Sequence, residues 1–352
     1  MIEIKKQEFT KPLIIAGPCS AESQEQLLAT AKDLEDKATI FRAGVWKPRT
    51  RPNSFEGVGQ KALEWLKVVK QETPLKVATE VANAQHVEAC LKAEIDVLWL
   101  GARTTVNPFY VQEIAEALRG VDVKVMIKNP LHPELSLWMG AIERLNQVGV
   151  SQLSAIHRGF FTLEKSAFRN EPKWEIPIKL KRLVPELPII CDPSHISGAP
   201  QMLSEVSQTA MDLNMDGLMI ETHYNPSVAL SDAQQQITPN ELGVLLDNLI
   251  LRTSTNANTE FRTLLNNLRT EIDAIDKKLV DIVGQRTEIV REIGRYKKEN
   301  AVTILQIERW FEILKSRKDW GYDTNLDPQM VGELFDLIHK HSVLTQTHIL
   351  NK

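Results

Sequence analysis

The sequence predicts an α/β protein with an eight-stranded (β/α)8 (TIM) barrel, followed by an all-α domain of three helices. Two observations predict the barrel: up to about residue 252, short β-branched apolar runs alternate with longer segments of helical period, and there are eight such runs. Strands joined through helices run parallel, because a short loop cannot return the chain to the same end of the sheet. A third observation predicts the second domain: beyond residue 259, apolar residues recur every three or four positions. A doubly wound open sheet is the alternative for the first domain.

Each predicted strand is short and ends before a polar loop. The strands are the runs 13–16, 40–43, 76–81, 97–102, 123–128, 152–156, 188–191 and 217–222. Helical segments follow at 24–37, 58–71, 84–93, 108–118, 133–147, 200–213 and 239–251, whereas the stretch after residue 156 is less regular. About 250 residues is the usual length of a (β/α)8 barrel.

A small polar segment, TSTNANT at 253–259, lacks apolar anchors and is interpreted as a linker between a barrel over 1–252 and a helical domain over 260–352. No proline interrupts 260–299, so this segment predicts one amphipathic helix about 60 Å long. Two further helices are predicted at about 304–318 and 328–350. These two shorter helices cannot cover the whole apolar face of the long one, so we expect at least a dimer formed through the helical domain.

Composition and charge exclude several classes of protein. Of the 352 residues, 43% are apolar and 25% are charged, which is typical of globular proteins. The 42 Lys and Arg against 46 Asp and Glu argue against nucleic-acid binding. The apolar runs are far shorter than the about 20 residues that span a bilayer, and the first segment lacks the apolar stretch of a secretory signal. Three cysteines cannot form a closed disulfide set, so we expect a cytoplasmic enzyme with free thiols.

Polar side chains cluster where the predicted strands end, and barrel enzymes carry their active sites at that face. One group offers a thiolate, an imidazole and two carboxylates, which suit Mn2+, Fe2+, Co2+ or Zn2+ better than Ca2+ or Mg2+. Its members are Cys19, His195, Glu221 and Asp232. A second group consists of cations, which predict a substrate with phosphate or carboxylate groups. Its members are Arg42, Lys47, Arg49, Arg103, Lys128 and Arg158. Internal salt bridges with acids such as Glu80 are the alternative interpretation of these cations.

The motifs at these strand ends, taken in order, resemble the type Iβ branch of 3-deoxy-D-arabino-heptulosonate 7-phosphate (DAHP) synthase. They are GPCS at 17–20, KPRT at 47–50, GAR at 101–103, IKN at 127–129, HRG at 157–159, DPSH at 192–195, and IE followed by SD within 220–232. That family condenses phosphoenolpyruvate with erythrose 4-phosphate. The resemblance implies that the four ligand candidates hold a divalent metal ion, with Mn2+ as the first choice, which polarises the aldehyde as a Lewis acid.

The resemblance also implies roles for the remaining residues at this face. The implied phosphoenolpyruvate site consists of Arg42, Lys47, Arg103, Lys128 and Arg158, with the backbone of Gly101 and Ala102. Arg49 and Thr50 of KPRT look like the site for the phosphate of erythrose 4-phosphate. Lys128 is the candidate for proton handling, and Glu80 for orienting the attacking water.

Two alternatives stay open for the barrel. The related 3-deoxy-D-manno-octulosonate 8-phosphate synthase uses arabinose 5-phosphate and carries a KANR-type motif in place of KPRT, so Arg49 in its Pro-Arg-Thr context favours erythrose 4-phosphate. An aldolase that uses Lys128 as a Schiff base is the other alternative.

Polar residues interrupt the apolar faces of the C-terminal helices. Arg286 and Lys297 fall on the stripe of the long helix, and Ser342 and Gln346 lie one turn apart on the last helix. Such residues cost stability unless something binds them, which predicts a buried anion pocket, with snorkelling side chains or interhelical salt bridges as the alternative.

This region is similar to the all-helical chorismate mutase family. The elements that carry the resemblance are LRTEIDAID at 268–276, QR at 285–286, GRYK at 294–297 and SVLTQ at 342–346. It implies that Arg286, Arg309 and, from the other subunit, Arg269 hold the carboxylates of chorismate. Lys297 and Gln346 would face the ether oxygen, and Ser342 would assist near a carboxylate. Gln306 and Trp310 stand where family members often carry an acidic pair.

The two resemblances together predict a bifunctional enzyme of the shikimate pathway for aromatic amino acids. The two reactions are not consecutive, so we expect the helical domain to regulate the barrel by binding prephenate or chorismate. A helical domain that serves only as a ligand sensor, or only for dimerisation, is the alternative. The expected partners are the small-molecule substrates and a second copy of the chain, with no nucleic acid and no membrane.

Overall fold

The computed structural model describes residues 2, 4–5, 7, 9–47, 55–253 and 258–351. The chain divides into two compact units, Met1–Ser254 and Thr255–Lys352. The first unit is a closed barrel of eight parallel strands in sequence order, which confirms the predicted barrel and excludes the open sheet. The strands β1 to β8 are Leu13–Gly17, Ile40–Arg42, Lys76–Val81, Val97–Leu100, Lys124–Lys128, Leu153–His157, Ile189–Cys191 and Gly217–Glu221.

Helices connect the strands on the outside of the barrel. The helices α1 to α10 are Gln24–Lys32, Lys61–Glu72, Ala84–Lys92, Ala102–Thr105, Pro108–Ala117, Leu135–Gln147, Glu175–Leu183, Pro193–Ser197, Leu203–Asp212 and Pro239–Asp247. The helix α7 occupies the stretch that looked irregular in the sequence, since the proline in its first turn obscures its apolar period. The short helices α4 and α8 begin directly after strands β4 and β7, and they place polar residues at the strand ends.

Side chains of the strands alternate between the inside of the barrel and the surrounding helices, and this alternation places the site. The buried residues of the inner cluster are Leu13, Ile15, Ile40, Ala78, Val97, Trp99, Met126, Ile156, Ile190 and Met219. The next inward position on each strand lies two residues further on, because strand side chains repeat with a period of two. Those positions are Gly17, Arg42, Glu80, Gly101, Lys128, Arg158, Asp192 and Glu221. The inside of the barrel therefore changes from apolar to mainly charged at the carboxyl ends of the strands.

Residues 258–351, the described part of the second unit, form three helices, α11 (Thr259–Glu299), α12 (Ile307–Asp323) and α13 (Pro328–Leu350). The side chain of Asn258 caps α11 by accepting a hydrogen bond from the backbone of Phe261, and the helix runs for 41 residues. The last helix, α13, packs against both α11 and α12. The predicted helices are confirmed, with the middle one ending later than expected. Of the predicted linker, residues 254–257 lie outside the described residues.

Much of the apolar face of α11 is exposed. Ten of its apolar side chains are between 42% and 60% exposed: Phe261, Leu264, Leu268, Ile272, Ile275, Leu279, Ile282, Val283, Ile289 and Ile293. No helix in the described part of the chain is long and apolar enough to cross a membrane. The three cysteines are buried free thiols.

Candidate functional site

Three of the four predicted metal ligands meet at the carboxyl end of the barrel. Ligand atoms of Cys19, Glu221 and Asp232 all lie within 4.8 Å of one another, and Cys19 Sγ donates a hydrogen bond to Asp232 Oδ2 at 3.2 Å. Cys19 follows β1, Glu221 ends β8, and Asp232 lies in the loop after β8. Barrel closure brings them together, because β1 pairs with β8 so that Gly17 lies opposite Glu221.

The fourth predicted ligand, His195, lies at the edge of this group of three. Its Nε2 is 3.8 Å from Glu221 Oε1, and its Nδ1 is 2.9 Å from Asp192 Oδ2. Asp192 is the N-cap of α8 and also accepts a hydrogen bond from the backbone N–H of His195 at 3.1 Å. A carboxylate at Nδ1 orients an imidazole so that Nε2 is available as a metal ligand.

These residues fit a divalent cation. Glu221 is fully buried, and its Oε1 has no hydrogen-bond partner among the residues that the structure describes, although Arg42 Nη2 lies 3.2 Å away. Burial, together with the charges of Glu221 and Asp232, raises the pKa of the Cys19 thiol to about 12. A divalent cation favours the deprotonated thiolate and neutralises the carboxylates, and sulfur with nitrogen and oxygen suits a borderline transition metal.

Three cations are buried at the same end of the barrel. Arg42, Lys128 and Arg158 are 1%, 4% and 7% exposed. Among the described residues, Nε and Nη1 of Arg42 have no hydrogen-bond partner, and its guanidinium lies 5.0 Å from the centre of the Trp99 ring. Buried N–H groups without acceptors are costly, so this guanidinium is suited to an anionic ligand.

Lys128 is held by an acid that the sequence analysis did not single out. Its Nζ lies 2.8 Å from Asp192 Oδ2, so Asp192 contacts both Lys128 and His195. Burial alone would raise the pKa of Asp192, but the charges of His195 and Lys128 hold it well below its usual range. The pattern that identifies Asp192 from sequence is its inward position two residues after Ile190.

Lys47 contacts Cys19, one of the predicted metal ligands. Its Nζ donates to Cys19 Sγ at 3.0 Å and also to the Cys19 carbonyl oxygen. Arg49 and Thr50, the predicted binding residues for the second phosphate, lie outside the described residues.

The remaining predicted barrel residues line the same face. Arg158 donates from Nη1 to Asn170 Oδ1 at 2.6 Å, and burial lowers its pKa to about 10. Glu80 accepts a hydrogen bond from Trp99 Nε1 at 3.0 Å. A Cβ on Gly101 would lie 2.1 Å from Glu80 Oε1, so any other residue there would displace the Glu80 carboxylate. Ala102 begins α4, and Arg103 in the same helix is exposed.

The helical unit brings part of its predicted pocket together. Arg286 donates from Nη1 to Ser342 Oγ at 2.8 Å, and Ser342 and Gln346 are each 8% exposed. Gln346 Oε1 is buried without a hydrogen-bond partner in the described part of the chain. Lys297 Nζ donates to the carbonyl of Ile304 at 2.6 Å, and burial lowers the Lys297 pKa.

Two predicted arginines lie elsewhere on this unit. Arg309 is exposed and pairs with Glu312 in its own helix at 2.6 Å, and Arg269 is exposed on α11. Arg317, which the sequence analysis missed, stacks over the ring of Trp320 at 4.3 Å. The pKa of Arg286 is lowered by burial and then by the charge of Arg317.

Comparison with known families decides what these two units are. Residues 3–256 match the model of the DAHP synthetase I family. The chain belongs to this family. Residues 268–347 of this DAHP synthetase I family member match chorismate mutase type II, so the predicted order of the two domains is confirmed.

Individual relatives agree with the family assignment. The chain is 30% identical over 225 residues to a phospho-2-dehydro-3-deoxyheptonate aldolase of Thermotoga maritima, and the alignment spans 64% of each protein. It is 28% identical over 259 residues to a 2-dehydro-3-deoxyphosphooctonate aldolase of Wolinella succinogenes, covering 68% of this chain and 98% of that one. The crystal structure of the DAHP synthase of Thermotoga maritima matches with a TM-score of 0.62 at 26% identity, covering 76% of this chain and 74% of that chain.

Proposed function

We propose that the barrel condenses phosphoenolpyruvate with erythrose 4-phosphate to form DAHP and inorganic phosphate. We further propose that it depends on a divalent metal ion held by Cys19, His195, Glu221 and Asp232. The observation that carries this proposal is the convergence of three buried cations and a thiol–carboxylate group at one end of the barrel. The bound ion supplies a Lewis acid for the aldehyde. Mn2+ is the first candidate, followed by Fe2+, Co2+ and Zn2+.

The buried cations bind and orient phosphoenolpyruvate. Arg42 has guanidinium N–H groups available, and Arg158 and Lys128 lie at neighbouring inward positions around the barrel, so together they match an anion with a carboxylate and a phosphate. Positioning in a water-poor pocket brings the vinyl carbon to the aldehyde carbon, where the new C–C bond forms. Water then adds to the former enol carbon, and the C–O bond to phosphate breaks.

Lys128 is suited to proton transfer and not to Schiff-base chemistry. An amine must be uncharged to attack a carbonyl, whereas the buried carboxylate of Asp192 at 2.8 Å stabilises the ammonium form. We expect Lys128 to donate a proton to the oxygen of the aldehyde as it becomes a hydroxyl group. Borohydride reduction in the presence of either substrate is therefore expected to leave Lys128 unmodified, and a labelled Lys128 would contradict this role.

One assay tests the barrel reaction and its metal. The full chain is supplied with phosphoenolpyruvate and erythrose 4-phosphate, and DAHP and phosphate release are measured before EDTA, after EDTA, and after Mn2+ is returned. We expect loss with EDTA and recovery with Mn2+, whereas full activity in EDTA contradicts the metal. Arabinose 5-phosphate replaces erythrose 4-phosphate in parallel, and a higher kcat/KM with arabinose 5-phosphate would establish the octulosonate alternative instead.

We also propose that the helical domain rearranges chorismate to prephenate as a dimer. The exposed apolar face of α11 is long, and the same face of a second copy would cover it in a symmetric dimer, which supports dimerisation through this helix. Arg286, Ser342 and Gln346 form one half of an anion pocket, and Arg269 stands exposed on α11 where it is available to a partner. Lys297 stabilises the charge that develops on the ether oxygen, and no proton transfer is needed.

Complementation between two inactive variants tests the shared site. Arg269→Ala and Arg286→Ala are each expected to abolish chorismate turnover. If Arg269 acts across the interface, a mixed dimer has one site with both defects and one intact site. Unfolding and refolding the two variants together should then restore about a quarter of wild-type turnover, since half the dimers are mixed and each has one intact site of two. No recovery contradicts a site shared between subunits.

Regulation of the barrel by the helical domain is the remaining part of the proposal. The reactions are not consecutive, and the anion pocket around Arg286 suits prephenate or chorismate. We expect saturating prephenate to change the rate of DAHP formation in the wild-type chain but not in Arg286→Ala. Unchanged kinetics in the wild-type chain would leave the helical domain as a mutase without a regulatory role.

A further inference from the structure

In each of the two carboxylates of the proposed metal site, one oxygen accepts a hydrogen bond from a neighbouring side chain. Asp232 Oδ1 accepts from Arg169 Nη1 at 3.1 Å, while its Oδ2 faces Cys19 Sγ. Glu221 Oε2 accepts from Gln235 Nε2 at 2.5 Å, which leaves Oε1 as the oxygen near His195 and Arg42. In each carboxylate, therefore, one oxygen is engaged by the protein and the other faces the remaining ligand candidates.

The two neighbouring side chains are themselves joined. Arg169 Nη1 donates to Gln235 Oε1, so Asp232, Arg169, Gln235 and Glu221 form one continuous chain of hydrogen bonds. A guanidinium has no acceptor, and this fixes the orientation of the amide: Gln235 Oε1 must face Arg169, so Gln235 Nε2 must face Glu221. Gln235 is 1% exposed, so its amide is shielded from bulk solvent.

The backbone around Arg169 is built to hold this geometry. The Arg169 backbone N–H donates to the Ser197 carbonyl at 3.3 Å, which ties it to the end of the short helix that carries His195. Gly198 has a φ of +68°, and a Cβ there would lie 2.5 Å from Arg169 Cβ, so the glycine makes room for the arginine. Asp232 has a φ of +48°, a left-handed conformation that places its side chain toward both Cys19 and Arg169.

We propose that Arg169 and Gln235 are positioning residues that select which oxygen of Asp232 and which oxygen of Glu221 faces the metal ion. This inference rests on the proposed metal site. Neither residue is a ligand in the proposal: Arg169 acts through Asp232 and Gln235, and Gln235 acts through Glu221. Loss of such outer contacts lowers metal affinity by about 10- to 100-fold while all four ligands remain.

The test measures metal binding directly in the full-length chain. Metal-free protein is titrated with Co2+, and the thiolate-to-cobalt absorption band reports occupancy independently of catalysis. Arg169→Ala and Gln235→Met are each expected to raise the Kd for Co2+ by about 10- to 100-fold. The Kd of the double variant should exceed that of either single variant by no more than about threefold, because the two residues belong to the same hydrogen-bonded network. Arg119→Ala is the matched control, since Arg119 forms an exposed pair with Glu116 outside this hydrogen-bonded chain.

Different outcomes separate the inference from the function on which it rests. If wild type binds Co2+ but both variants keep a Kd within about twofold of it, the positioning role is overturned. An unchanged Kd in Arg169→Ala with a raised KM for the aldose phosphate also overturns it, because Arg169 is then a substrate contact. If wild type gives no cobalt–thiolate band, the proposed metal site itself fails. Arg169 is half-exposed, so Arg169→Ala carries the test even if Gln235→Met folds poorly.

Discussion

Removing Arg42 is expected to destabilise the barrel before any substrate is bound. Arg42 and Glu221 have side chains only 1% and 0% exposed, and Nη2 lies 3.2 Å from Oε1. At an effective dielectric constant of about 20, two opposite unit charges at this separation attract by about 5 kcal/mol. Breaking a buried pair leaves the other charge uncompensated. We therefore expect Arg42→Met to lower the free energy of unfolding of the metal-free chain by about 3–5 kcal/mol.

Urea unfolding of EDTA-treated full-length protein, followed by tryptophan fluorescence, measures this loss, since five of the seven tryptophans lie in the barrel. Arg119→Met is the control, because its pair with Glu116 is 59% and 49% exposed and should contribute less than about 1 kcal/mol. The double variant Arg42→Met/Glu221→Gln should recover much of the stability, because the buried charge is gone. Equal midpoints for Arg42→Met and Arg119→Met, or a double variant less stable than Arg42→Met, would refute the reasoning.

Three further predictions concern single residues. Burial and the charge of Arg158 lower the pKa of His157 to about 3, so below the pKa of about 6.5 for an unfolded histidine, unfolding takes up a proton. The free energy of unfolding should therefore decrease as the pH is lowered from about 6.5 to about 3, by at most about 1.4 kcal/mol per pH unit for this group. His157→Gln should flatten that part of a pH series of urea melts. Lys297→Met should lower kcat for chorismate by at least about 100-fold and leave DAHP formation without prephenate unchanged; an equal loss in both assays would indicate misfolding. Ile275→Arg, on the exposed face of α11, should yield monomers by light scattering and lose chorismate turnover, whereas Ile178→Arg, at an exposed position on the barrel, should stay dimeric.

Charges inside apolar strands made part of the site visible in the sequence. Arg42 and Lys128 stand in otherwise apolar runs, and both are buried at inward positions in the structure. The hydrogen-bonded neighbours were not visible in the same way. Asp192 stood in the DPSH motif, but nothing in that motif showed that it contacts both Lys128 and His195. No sequence pattern indicated Arg169, because its role depends on contacts with a loop that is distant in the sequence.

The helical domain shows the same limit. Periodicity predicted the long helix and its apolar face correctly, because the helical period is a property of residues close together in the sequence. It did not distinguish Arg309 from Arg317, two turns further along the same helix. The structure exposes Arg309, whereas the guanidinium of Arg317 lies 5.8 Å from the centre of the Phe335 ring of α13.

The sequence by itself determined the eight strands, the three C-terminal helices and the change from apolar to charged inward positions. These follow from periods of two and of about 3.6 residues, which are local properties of the chain. Only the tertiary structure decided which atoms face one another. Cys19 and Asp232 are 213 positions apart and share a hydrogen bond because the barrel closes. A hydrogen bond requires that two atoms from distant loops be placed to within about an ångström, and no local sequence pattern encodes that placement.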